Sequence, residues 1–252
     1  MYDLSDKTVI ITGGGSGIGL GIARAFSKAG ANLVLTGRTH SKLDNAKEEL
    51  SGRGGDVFII TADGSKEEDV KAVIDAAIRK FGRIDVIINN AQNSASGVLL
   101  KDHTEADFDR AIYSGLYATF YYMKHSYEAL KEAKGRVINF ASGAGISGKS
   151  GQSSYAAAKE GIRGLSRVAA TEWGADGITV NVICPLAMTE GLANWKLAYP
   201  ELYEKTISAT PMGRFADPEA DIGALCLFLS SKDASFITGE TFHLQGGSGL
   251  RP

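Results

Sequence analysis

The sequence has little of what several common protein classes need. Only two cysteines occur, Cys184 and Cys226, which can form neither a disulfide framework nor a CxxC pair and suit a reducing compartment. The four histidines, at positions 40, 103, 125 and 243, show no ligand spacing with one another or with cysteine, so no metal site is expected. The longest uninterrupted apolar run, Ala224 to Leu229, falls far short of the ~20 residues that a membrane span needs. The start, Met1 to Asp6, has no cationic region followed by an apolar one, so no signal peptide is read. Lys and Arg total 27 against 29 Asp and Glu, a net charge of −2, with no basic block. No nucleic-acid or membrane partner is therefore expected. No serine stands in a G-x-S-x-G elbow, which argues against an α/β-hydrolase. What remains is a soluble, cytoplasmic protein.

The 252 residues are 44% hydrophobic and 22% charged, enough apolar material for a sizeable core. Glycine is in excess: 31 residues, about 12% against a usual ~7%. Such an excess marks turns where backbone approaches a ligand. Short β-branched runs read as strands at Thr8–Thr12, Asn32–Thr36, Val57–Thr61, Val86–Asn89, Arg136–Phe140, Thr179–Ile183 and Thr241–Leu244. Amphipathic stretches near 18–29, 41–53, 66–80, 105–131, 153–174 and 217–229 read as helices, and Ser65 as an N-cap. Repeated strand–helix–strand crossovers predict a mostly seven-stranded parallel sheet covered on both faces. With no linker or repeat, residues 1–252 read as one doubly wound α/β domain. The aromatic segment 188–216 interrupts the rhythm and reads as a substrate lid. In it Leu192, Trp195, Leu197, Tyr199 and Tyr203 recur at helical spacing, with charges such as Glu190 and Lys196 between them.

After the first strand comes Thr12-Gly13-Gly14-Gly15-Ser16-Gly17-Ile18-Gly19, followed at once by helix. The spacing is GxxxGxG rather than GxGxxG, and Leu20 stands where a Walker P-loop needs lysine. A glycine-rich strand-to-helix turn frees backbone N–H groups at a helix N-terminus, which suits a pyrophosphate. The second strand ends in Gly37 and Arg38, not in the acidic residue that would hold a ribose 2′-hydroxyl. A guanidinium there can clamp a 2′-phosphate, so NADP(H) is expected over NAD(H).

Tyr155 and Lys159, at i and i+4, put a phenol and an ammonium on one helix face. Tyr127 and Lys131 have the same spacing, and position separates the pairs. Tyr155 follows the fifth strand, beyond whose end Ser142 emerges, and ligands bind outside the C-terminal ends of strands. A phenol with pKa ~10 works near neutrality only where a nearby cation favours phenolate, which Lys159 is expected to provide. Ser142 is expected to donate a hydrogen bond to a carbonyl or alkoxide oxygen.

Together these elements resemble the short-chain dehydrogenase/reductase family over essentially the whole chain. The resemblance implies a Rossmann-type fold and a cofactor turn formed by Gly13, Ser16, Gly17, Ile18 and Gly19. It also implies adenine contact through Asp63 and Gly64, the strand-four motif Asn90-Ala91, and nicotinamide-side contacts from Pro185 and Thr189. Ser142, Tyr155 and Lys159 fall on the family's catalytic serine, tyrosine and lysine, the last two also touching the cofactor. Ile237-Thr238-Gly239 matches its C-terminal signature. The sequence departs from the pattern at Gln92, Leu186 and Gln245, and at Gly115, where the family keeps a fourth catalytic residue, an asparagine that holds a water behind the lysine.

The reading is an NAD(P)-dependent oxidoreductase interconverting a secondary alcohol and a ketone, with Tyr155 as general acid/base. Gln92, Leu186, Leu192 and Trp195 are the expected substrate contacts, and the substrate is expected to be bulky and largely apolar. The alternative is a redox-inactive nucleotide-sensing subunit, which the loss at position 115 raises. A methyltransferase of the same fold has no need of Ser142, Tyr155 and Lys159. The resemblance also implies a homotetramer, with the helices bearing Gly115 and Tyr155 building a dimer interface.

Overall fold

The computed structural model describes residues 2–249, the side chains of Glu190 and Gly191 excepted. Strands β1 (Thr8–Thr12), β2 (Asn32–Gly37), β3 (Val57–Thr61), β4 (Val86–Asn89), β5 (Arg136–Phe140), β6 (Thr179–Pro185) and β7 (Thr241–Leu244) form one sheet. All its pairings are parallel, in the order β3-β2-β1-β4-β5-β6-β7. The chain reverses its direction of travel across the sheet between β1 and β4, which opens a crevice beyond their C-terminal ends.

Every residue of β1 is buried, because both faces of a parallel sheet are covered. The two-residue period of the strand then sorts its side chains. Val9 and Ile11 join Ile22 and Phe26 of α1 (Gly17–Lys28), Leu43 and Leu50 of α2 (His40–Leu50), and Cys226 and Leu229 of α10 (Ala224–Ser230). Ile10 faces the other layer, with Val73 of α3 (Glu67–Phe81), Tyr122 of α5 (Ala118–Ala133) and Ala170 of α7 (Ser153–Trp173). Each such fully buried aliphatic side chain contributes about 1.5–3 kcal/mol. The remaining helices are α4 (Glu105–Ala111), α6 (Gly143–Ser147), α8 (Glu190–Ala198) and α9 (Pro200–Ser208).

Three local expectations are revised. Ser65 is not the cap of α3: Lys66 takes that position, while the Ser65 hydroxyl donates to Asp63 Oδ1 at 2.7 Å. A neighbouring carboxylate has outcompeted the helix end for it. The helix expected over 105–131 is split by a π-helical segment, Ile112–Tyr117. There the Ser114 hydroxyl lies 2.6 Å from the Arg110 carbonyl, an acceptor that a regular helix uses, and 2.8 Å from the Asn93 carbonyl of the loop after β4. The segment 188–216 contains two helices, α8 and α9. Its ends are stitched together: Met188 N–H donates to the Ala216 carbonyl (2.9 Å), and Ala216 N–H to that of Leu186 (2.9 Å).

Candidate active site

The crevice beyond β1 and β4 is a groove of about 320 Å³ lined by Gly13, Ser16, Arg38, Asp63, Gly64, Asn90, Ala91 and Gln92, among others. Thr12 ties the two strand ends together, its hydroxyl accepting the N–H groups of Asn90 and Ala91, both at 3.0 Å. Asn90 Nδ2 donates to the Thr12 carbonyl at 3.0 Å, so this side chain braces the glycine turn. Gly13 and Gly17 have φ of +69° and +55°, a left-handed backbone that L side chains rarely adopt. A Cβ on Gly19 would strike the Gly13 carbonyl. The turn delivers the chain to the N-terminus of α1, where Ser16 makes no side-chain cap and the first turn holds no acid. Free N–H groups and the helix dipole there fit the pyrophosphate of a dinucleotide. Ile18 packs its side chain against the core, leaving its backbone to face a ligand.

Arg38 stands at the end of β2, and its charge acts on Asp63 across the groove. Burial raises the Asp63 pKa, but hydrogen bonds from Ser65 and the charges of Arg38 and Lys66 outweigh it and hold the carboxyl below its ordinary value. Lys42 also lines the groove, in the first turn of α2. Sequence reasoning passed over Lys42 and the brace at Thr12.

Ser142, Tyr155 and Lys159 meet beyond β5. Ser142 caps α6, accepting the Ala144 N–H at 3.1 Å, and its hydroxyl hydrogen-bonds to that of Tyr155. Burial pushes the Tyr155 phenol up and this bond opposes the rise. Lys159 is 3% exposed, lies 5.5 Å from the Tyr155 ring centroid, and donates to the Phe140 carbonyl at 2.6 Å. Burial pushes its ammonium down to about 7. The start of α7 is clamped by His103, whose Nε2 lies 2.8 Å from the hydroxyl of fully buried Ser154.

Pro185 ends β6, and Thr189 caps α8 by accepting the Leu192 N–H at 3.3 Å. Leu186, just before the segment 188–216, joins its Leu192 and Trp195 in packing with Tyr203, Ile207 and Phe215 in a small apolar cluster. The five residues that recur in 188–216 at helical spacing divide between inside and outside. Trp195 and Tyr203 turn inward, with ring centroids 6.2 Å apart, whereas Leu197 and Tyr199 are 83% and 56% exposed. Tyr199 lies at the break between α8 and α9, so one helical wheel does not span the five positions.

The two departures at glutamine both fill the space over a glycine. Gln245 lies against Gly143, next to Ser142, and Gln92 against Gly115. Among the described residues no group of three or more His, Cys, Asp or Glu could hold a metal ion. No helix among them is long and apolar enough to cross a membrane.

Comparison with known proteins agrees with this geometry. The family model described as enoyl-(acyl carrier protein) reductase matches residues 13–248. A 12alpha-hydroxysteroid dehydrogenase of Clostridium sp. is 59% identical over 253 residues, covering 98% of each chain. The crystal structure of levodione reductase superposes with a TM-score of 0.90 at 34% identity, over 97% of this chain and 98% of that one. A short-chain type dehydrogenase/reductase from Mycobacterium ulcerans gives 0.91 at 28%, over 98% and 90%. With its crevice at the β1/β4 reversal and its near full-length relatives, the chain belongs to the short-chain dehydrogenase/reductase family, nicotinamide-dependent oxidoreductases acting on CH–OH and C=O groups.

Proposed function

We propose that this enzyme interconverts a secondary hydroxyl and a ketone on a steroid-like substrate and prefers NADP(H) to NAD(H). The observation that carries the substrate class is the 59% identity, over nearly the whole chain, to a protein named for a steroid hydroxyl. The apolar cluster of 188–216, rooted beside Pro185, supports it as a lid for a bulky, water-poor ligand, with Leu186, Leu192, Trp195 and Gln92 nearest the substrate. Arg38, facing the groove from the end of β2, supports the coenzyme preference.

In this reading Tyr155 gives its hydroxyl proton to the ketone oxygen during reduction and removes it during oxidation. Ser142 donates a hydrogen bond to the same oxygen, and Lys159 supplies positive charge beside the phenol. Gly13, Ser16, Gly17, Ile18 and Gly19 hold the pyrophosphate, Asp63 and Gly64 the adenine end. Asn90 and Ala91 form the middle of the groove, with Pro185 and Thr189 on the nicotinamide side. The bound nicotinamide supplies or accepts the hydride. Nothing favours the redox-inactive alternative, since the acid/base residues stand together and the relatives bear the names of oxidoreductases.

A homotetramer fits the exposed aromatics Tyr113, Tyr117 and Phe120 along the π-helical segment and α5. Light scattering that finds a 26.6 kDa particle at micromolar concentration overturns it. A cytoplasmic location fits the two buried free thiols, Cys184 and Cys226. The deciding experiment for function is a panel of hydroxysteroids, oxosteroids and small cyclic ketones, each with NADP(H) and NAD(H). Turnover of the small ketones alone refutes the substrate class.

A further inference from the structure

We propose that His103 is a positioning residue for the reacting tyrosine: its imidazole holds the first turn of α7, and with it the Tyr155 phenol, in the geometry that proton transfer needs. The proposal rests on the reading of Ser142, Tyr155 and Lys159 as the reacting group. Tyr155 is the third residue of α7, which begins at Ser153. The N–H groups of a helix's first turn have no intrahelical acceptors, so that turn is held only as firmly as its surroundings hold it. Gln152, at the cap position of α7, makes no side-chain cap bond. Helical bonding starts only at the Ala156 N–H, which donates to the Gln152 carbonyl at 2.7 Å. Tyr155 stands one residue before that bond.

His103 supplies the missing hold. It ends the connection from β4 to α4, where its own N–H donates to the Leu100 carbonyl (3.3 Å). The next residue, Thr104, caps α4 by accepting the Asp107 N–H (3.1 Å), and the His103 ring meets that of Phe108 edge to face, with centroids 6.5 Å apart. Anchored in this way on α4, the imidazole lies with Nε2 2.8 Å from Ser154 Oγ and Nδ1 3.4 Å from Ser153 Oγ. Ser154 is fully buried and directly precedes Tyr155. A neutral imidazole offers one donor and one acceptor, so one ring serves both hydroxyls in either tautomer. The same loop is joined to the chain leading into α7: the Gly97 N–H donates to the Gly151 carbonyl at 2.8 Å, and Val98 pairs with Gln152 in a parallel bridge. A Cβ on Gly151 would come within 3.1 Å of the Gly97 Cα, so the two backbones are in contact.

The consequence falls on the acid/base step rather than on coenzyme binding. His103, Ser153 and Ser154 do not line the groove that runs from the glycine turn to Gln92. Ser154 and Tyr155 share one peptide unit, and a helical backbone passes a shift of the first to the second. The Tyr155 hydroxyl must keep its bond to Ser142 while it faces the substrate oxygen. A misplacement of about 1 Å at a reacting atom can cost roughly 10²-fold in rate. Loss of the clamp therefore slows proton transfer and leaves the coenzyme's contacts in place.

The test removes the clamp from each side. His103→Leu is expected to lower kcat about 10-fold and to enlarge the solvent deuterium isotope effect on kcat. KM and the dissociation constants of NADPH and NADH, read by fluorescence, should stay within ~2-fold of wild type. Ser154→Ala takes away the other half of the contact and should give a similar loss. The double variant should be no slower than His103→Leu alone, because residues that act through one contact do not add. His103→Gln, whose amide still bonds one hydroxyl, should keep kcat within ~3-fold of wild type. Wild-type kcat in His103→Leu overturns the proposal, as does a loss that appears in KM or coenzyme binding instead. It is equally overturned by a loss without a larger isotope effect, by losses that multiply in the double variant, or by a glutamine variant no better than leucine. Should His103→Leu fail to fold, Ser154→Ala decides by the same readouts. Tyr155→Phe measured alongside separates the two readings: full activity there defeats the assignment of the reacting group itself.

Discussion

Tyr127 donates its phenol to Asp176 Oδ2 at 2.6 Å, and Lys131 reaches Oδ1 of the same carboxylate at 3.0 Å. Asp176 sits just before β6 begins, so this tyrosine–lysine pair is spent at the N-terminal edge of the sheet. The pair of equal spacing, Tyr155 and Lys159, stands beyond the C-terminal end of β5, where this fold binds its ligands. Tyr155→Phe is therefore expected to lower kcat at least ~100-fold while the coenzyme still binds, since a positioned proton donor is worth roughly 10²–10⁴. Tyr127→Phe should leave kcat unchanged and lower Tm at most slightly. Steady-state kinetics on both variants decide, and equal losses would sink the distinction.

Arg38→Ala should weaken NADP(H) by about 1.5–3 kcal/mol, the usual range for a hydrogen-bonded charge, and leave NAD(H) nearly untouched. Lys42→Ala, the second cation on the groove, should show a smaller loss of the same selectivity. Titration of both coenzymes measures this. Equal affinities in the wild type would refute the preference outright.

Trp195 lies in the apolar cluster of 188–216 with Tyr203, itself 5.8 Å from the ring of Phe215. Trp195→Ala is expected to raise KM for bulky ketones about 10-fold, as a loss of roughly 50 Å² of apolar contact would do at ~25 cal/mol per Å². Small ketones should be affected far less. Should both classes respond alike while the oligomeric state changes, the aromatic belongs to an interface and the lid reading fails.

Lys159 also predicts a pH dependence of stability. Burial holds its ammonium at about 7, against an ordinary value of 10.5. Between those values the unfolded chain binds a proton that the native one does not, so stability rises with pH across that window. Below about 7 both forms are charged and the whole desolvation penalty is present. Lys159→Met should therefore gain most over wild type below pH 7, and the gain should shrink as pH rises towards 10. Urea unfolding at pH 6.5 and 9.5 provides the comparison; parallel shifts of the two proteins would show that the lysine does not titrate in this range.

Much of the architecture was legible in the chain itself. Strands buried on both faces are rich in β-branched and apolar residues, so runs such as Thr8–Thr12 and Arg136–Phe140 announced themselves, and the structure extends only β2 and β6. Helices interleaved with those strands required crossovers and hence a parallel sheet. The glycine turn was legible because a positive φ at Gly13 and Gly17 leaves a mark in residue type. These features depend on neighbours in sequence, where steric period and backbone freedom act directly.

Tertiary structure alone decided which distant groups meet. The chain spells out Gln92 and Gly115 as two separate oddities, and only the packing of the β4 loop on the π-helical segment makes them one arrangement. Gln245 and Gly143 come together only because β7 lies beside β6, which lies beside β5. The inward turn of Trp195 and the outward turn of Leu197 were likewise invisible, since helical periodicity gives the spacing of a face but not the surface it packs on. Local sequence sets the period of each element; the closure of loops between elements sets which polar groups are buried together, and on that the site depends.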